Sequence, residues 1–142
     1  MFKPINFLLL TLLAPAPTFA IDYSHPLAPK NTSGCVNYAT MVLDNVEKLI
    51  DREADRDTSV TELFNEKEDD MRNYLYSSDG NISEKQVDLY IEFMRMLIED
   101  AMTWYRSSKY GYIPEVAYQQ ILADCDIGVM EAEIEELERS LE

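Results

Sequence analysis

Carboxylates are the most abundant reactive groups in this chain, and two stretches space them much as a calcium loop does. An EF-hand loop takes oxygen ligands from its first, third, fifth, seventh, ninth and twelfth positions, with Gly at the sixth and a bidentate Glu at the end. Across residues 75–86, "LYSSDGNISEKQ", Gly80 falls sixth, Asp79, Asn81 and Ser83 fill acceptable places, and Ile82 takes the apolar eighth. Leu75 then stands first, where a carboxylate belongs, and Gln86 replaces the closing Glu. The same letters make a turn at Asp79-Gly80-Asn81 followed by a capping box, Ser83 with Gln86, that opens a helix. Across residues 51–62, "DREADRDTSVTE", Asp51, Glu53, Asp55, Asp57, Ser59 and Glu62 all occupy ligand positions, but Arg56 takes the place of the turning Gly and Arg52 adds a second positive charge. A helix end with solvated acids accounts for this frame. Divalent-cation binding through these two imperfect loops is therefore the alternative functional reading.

Other chemistry is poorly supplied. His25 is the single histidine and lies in a proline-flanked arm, so triads built on a positioned core histidine and zinc sites are not expected. Paired acids such as Glu99 with Asp100, or Glu68 with Asp69 and Asp70, are expected on solvated helix surface, since acid–base catalysis needs convergent groups with perturbed pKa values. The expectation is a non-enzymatic protein without a cofactor.

Contact chemistry is richer. The stretch "WYRSSKYGYIPEVAY", Trp104 to Tyr118, gathers Tyr110 and Tyr112 with Arg106 and Lys109 around a loop, a composition typical of interface hot spots. Trp104, Tyr105 and Tyr118 have the helical spacing of core residues. Acidic patches at Glu66, Glu68, Asp69 and Asp70, and from Glu131 to Glu142, would suit a basic partner.

The first twenty residues, "MFKPINFLLLTLLAPAPTFA", have the build of an export leader: Lys3, an apolar run from Phe7 to Leu13, then Thr18 and Ala20 at positions a signal peptidase accepts. The mature chain is expected to begin at Ile21, with an extended arm over 21–34 and one helical domain over 35–142. Removing residues 1–20 takes away one lysine and no acid, moving the formal charge from −15 to −16. That charge repels nucleic acid and anionic lipid. No stretch has the roughly 20 consecutive apolar residues of a membrane helix, so membrane insertion is not expected. In an oxidising compartment the two cysteines, Cys35 and Cys125, should pair. The periplasm fits best; an extracellular destination is the other option, with Asn31-Thr32-Ser33 and Asn81-Ile82-Ser83 as glycosylation sequons in a eukaryotic pathway.

The elements that carry these residues are helices. Val36, Ala39, Leu43, Val46 and Ile50 define an amphipathic helix from Cys35 to about Arg56. Ser59 and Glu62 open a second, ending near Ser78, with Val60, Leu63, Phe64, Met71, Tyr74 and Leu75 inward. A third, apolar round much of its circumference, carries Val87, Tyr90, Ile91, Met94, Leu97 and Ile98 on its main stripe and stops near Gly111. The last starts at Pro114, and its apolar stripe resumes after Gly128 at Met130, Ile134, Leu137 and Leu141. Whether Gly128 breaks it is open. The expected fold is all-α, a four- or five-helix bundle stapled by Cys35–Cys125. The expected function is that of an exported protein that binds a basic protein partner, in the manner of an inhibitor or immunity-type factor for a basic envelope-targeted enzyme.

Overall fold

The computed structural model describes residues 20–142; the expected leader, apart from Ala20, lies outside the described residues. Four α-helices account for most of these residues: α1 Thr32–Asp51, α2 Val60–Ser78, α3 Glu84–Ser107 and α4 Pro114–Ser140. A single 3-10 turn, Ser108–Tyr110, follows α3.

Local chemistry sets each boundary. Asn31 caps α1 by accepting from the Gly34 N–H at 2.9 Å, so α1 begins three residues before Cys35. It ends at Asp51, short of Arg56, because the chain turns at Arg52 and Glu53 enters the left-handed region at φ 50°. Ser59 caps α2. Ser83 and Gln86 form the full capping box that opens α3. Gly111, at φ 109°, supplies the left-handed residue that ends the turn after α3, and Pro114 occupies the first turn of α4, where its missing N–H costs no helical bond.

The principal helix contacts run in the spatial order α2, α3, α1, α4. Helices α1 and α3 are therefore central and hold the largest buried side chains, among them Tyr38, Val42, Val46, Leu97, Met102 and Tyr105. Ile121 of α4 and Phe64 of α2 close the core from either side. The segment before α1 contributes too, since Ile21 and Ala28 are buried in the same core.

Cys35, in the first turn of α1, is bonded to Cys125 of α4 with their Cα atoms 5.6 Å apart, inside the usual range. Closing a loop across 90 residues stabilises the fold by roughly 4–5 kcal/mol on chain-entropy grounds.

Gly128 does not interrupt α4, which continues to Ser140. A Cβ at this position would lie 2.3 Å from the ring of Tyr23. The glycine is the groove into which that ring packs.

Candidate interaction surfaces

The two acidic frames are folded as local structure. Residues 75–78 of the later frame are the last turn of α2, Asp79 accepts from the Asn81 N–H at 3.0 Å, and Ser83 starts α3. In the earlier frame Arg56 turns toward α3: its guanidinium lies 4.4 Å from the Tyr105 ring centroid and donates to the Tyr105 carbonyl and the Ser108 hydroxyl. The Tyr105 hydroxyl donates to the Ala54 carbonyl. A cation of the protein's own thus occupies the inner side of this loop. Among the described residues no three His, Cys, Asp or Glu side chains converge as a metal site requires.

The aromatic loop divides into two kinds of residue. Tyr110 is 83% exposed, with the Lys109 ammonium 4.9 Å from its ring centroid, and both face solvent. Arg106 is exposed at its edge but committed, donating to the Arg56 and Thr58 carbonyls at 3.0 and 2.9 Å and so fastening the α1–α2 loop to the end of α3. Tyr112 is half-buried against the core, and its buried hydroxyl finds no hydrogen-bond partner among the described residues. Burial, with Glu47 and Glu115 nearby, raises its pKa.

On α2, Glu66, Asp69 and Asp70 are exposed, whereas Glu68 is paired with Arg72 at 3.1 Å, and Arg72 also reaches Asp88 of α3 at 2.9 Å. Tyr74, expected inward, points out of the fold, as does Tyr90. With Met71, Leu75, Ile91 and Met94 they line a groove of about 490 Å³ between α2 and α3. A tyrosine can line a groove with its ring and keep its polar end in water, a disposition that spacing alone does not distinguish from burial.

The largest departure from the expected packing is in α4. Ala117, Ile121, Cys125 and Val129 face α1, with which α4 runs antiparallel, as shown by Cys125 against Cys35 and by Pro114, Glu115 and Tyr118 beside Leu43. Because α1 begins at Thr32, α4 overruns it: Val129 is the last buried residue, and residues 133–142 are exposed on every side. The eleven residues from Met130 to Ser140 correspond to an overhang of about 16 Å.

This overhang is amphipathic all the same. Ile127, Met130, Ile134, Leu137 and Leu141 are exposed and recur at steps of three and four, the a and d positions of a heptad. The flanking e and g positions hold Asp126, Glu131, Glu133 and Glu138, with Ser140 the one neutral residue.

Sequence pattern revealed the stripe but not its exposure, because a stripe at helical period has the same spacing whether it meets its own core or another molecule. Searches against protein-family models, curated protein sequences and solved structures find no match to this chain.

Proposed function

We propose that this chain is an exported, non-catalytic binding protein whose partner is a basic protein, and that the overhang of α4 carries the contact. The supporting observation is the exposed heptad stripe with acids on both flanks. An unpartnered stripe of this kind leaves apolar area in water, and burying a Leu or Ile side chain is worth about 1.5–3 kcal/mol. Its flanks select the occupant. In a parallel pair of identical helices Asp126 would face Glu131 and Glu133 would face Glu138; in an antiparallel pair acids again face acids. Self-pairing is thus disfavoured, and a helix with apolar a and d positions and Lys or Arg at e and g is the complementary partner.

The exposed Tyr110 and Lys109, with Glu66, Asp69 and Asp70, form secondary surfaces distant in sequence from this site. An inhibitor or immunity-type role against a basic envelope-targeted enzyme suits an acidic, disulfide-closed chain in an oxidising compartment.

The test uses two designed helices with Leu at a and d, one with Lys and one with Glu at e and g. The oxidised protein should bind the Lys-flanked helix, more weakly as salt rises, and ignore the Glu-flanked one. Ile134→Ser with Leu137→Ser should abolish that binding while leaving the thermal midpoint within a few degrees, because both side chains are already in water. Equal binding of both helices, or binding that survives the double substitution, would remove α4 from the interface.

A further inference from the structure

Asp100 is the single charged residue fully buried among the described residues, with 0% of its surface exposed, and no cation pairs with it there. Its Oδ2 accepts from the Tyr38 hydroxyl of α1, and its Oδ1 accepts from the backbone N–H of Ala20 at 2.6 Å. A buried carboxylate without a counter-charge is costly, and two neutral donors compensate it only in part. One turn earlier on α3, the Sδ of Met96 takes the Asp22 N–H at 3.3 Å. Ala20 and Asp22 are thus both anchored to α3, and Ile21 between them is buried at 8% exposure. The nitrogen of Ile21 is one peptide unit from the atom already bonded to Asp100, and consecutive Cα atoms are only about 3.8 Å apart.

We infer that the Asp100 pocket is a receptor for the protein's own free amino terminus: cleavage between Ala20 and Ile21 creates an α-ammonium that takes the place of the Ala20 N–H and pairs with the buried carboxylate. Hydrolysis of the Ala20–Ile21 peptide by the leader protease consumes one water and leaves a carboxylate on Ala20 and an amine on Ile21, which is protonated at neutral pH. No other covalent change is involved. The Ile21 side chain already lies in the core, so the new charge has only about one peptide unit to move to reach Asp100. The pocket then ties removal of the leader to completion of the fold. A chain in which residue 20 is still joined to the leader leaves Asp100 with neutral donors only, whereas the processed chain gains an ion pair between its amino terminus and α3.

This inference rests on the export reading, and the experiment separates the two. Protein secreted by cells is purified, its amino terminus sequenced, and the α-amino group treated with an acylating reagent in the folded and the denatured state, with the terminal peptide followed by mass spectrometry. The expected result is a chain starting at Ile21 whose amine reacts at least about tenfold more slowly when folded, since reaction must await local opening. Asp100→Asn should restore fast labelling. A second protein that begins at an N-acetylated Ala20, so that residue 20 offers Asp100 only a neutral amide N–H, keeps Asp100 and guards against an Asp100→Asn chain that does not fold. Its folding equilibrium constant should be lower by roughly a hundredfold, in keeping with loss of a buried pair.

A chain that starts at Ile21 with an amine equally reactive in both states overturns the lock and leaves the export reading standing. A start downstream of Ile21 overturns the lock, failure of the cells to export the chain overturns the export reading, and the binding reading of α4 keeps its own test with the designed helices.

Discussion

Two residues show how little of a side chain's role follows from its type. Asp100, adjacent to Glu99 in an acid-rich chain, has the profile of solvated surface, yet it is wholly buried. The signal was positional: it follows Leu97 by three and precedes Trp104 by four, on a helix apolar round most of its circumference. Burial pushes its pKa up to about 6, partly opposed by the hydrogen bonds from Tyr38 and Ala20, with Glu99 adding to the rise. The groups facing it are Tyr38 from α1, Tyr23 from the segment before α1, and Glu99 on its own helix. Tyr23 is itself pushed up to about 12, first by burial and then by Asp100 and the acids of α4. For the unprocessed chain, in which Ala20 offers Asp100 an amide N–H, the folded state holds the Asp100 proton more tightly than the unfolded state does. Stability should therefore fall as pH rises from about 4 to about 6, by about 3 kcal/mol in all, and level off above that. Urea unfolding across this range, with Asp100→Asn abolishing that component, is the measurement. Gly128 is the second such residue. Gly128→Ala should destabilise the protein by about 1–2 kcal/mol, because the ring of Tyr23 must move and the clash outweighs the gain in helix propensity. In a Tyr23→Ala background the same substitution should stabilise by up to about 1 kcal/mol, a reversal of sign that a thermal-melt double-mutant cycle would reveal.

At the scale of elements, the connection between α1 and α2 is more rigid than its polar composition suggests. Arg106 donates to two of its carbonyls, Arg56 stacks on Tyr105, and the Tyr105 hydroxyl holds Ala54. Arg106→Ala should cost about 0.5–1.5 kcal/mol through the two lost bonds, water taking over the carbonyls, and should raise hydrogen exchange over residues 54–59 before the helices respond. Exchange unchanged in that segment would mean that Arg56 and Tyr105 suffice. The helices themselves were legible because their boundaries rest on local chemistry: the Ser59 and Ser83 caps, the Gln86 partner, Gly111 and Pro114 all act within a few residues. The start of α1 was missed because Asn31 does the capping from within Asn31-Thr32-Ser33-Gly34, a polar cluster in which every residue can cap a helix. What sequence could not provide was the length of one helix relative to its neighbour. The exposure of Leu137 depends on where α1 begins, about 105 residues earlier, a long-range fact absent from the local pattern.

For the whole molecule, the all-α class, the Cys35–Cys125 bridge and the absence among the described residues of a helix able to cross a membrane agree with the expectation from composition and cysteine count. The covalent topology has a further consequence. The disulfide encloses everything from Cys35 to Cys125, which includes all of α2, all of α3 and the connections between the helices. A protease that cuts once anywhere inside that ring opens the polypeptide without releasing a piece, so the two fragments stay tethered and can keep their packing. A cut at Arg139, the single tryptic site in the α4 overhang, lies outside the ring and sheds residues 140–142 at once. Brief trypsin digestion should therefore yield a nicked species that runs as one band until reductant is added, together with an early clipped form trimmed at its carboxyl end. Where proteases circulate, the ring keeps the body together after a cut, whereas any cut within the protruding helix detaches what lies beyond it.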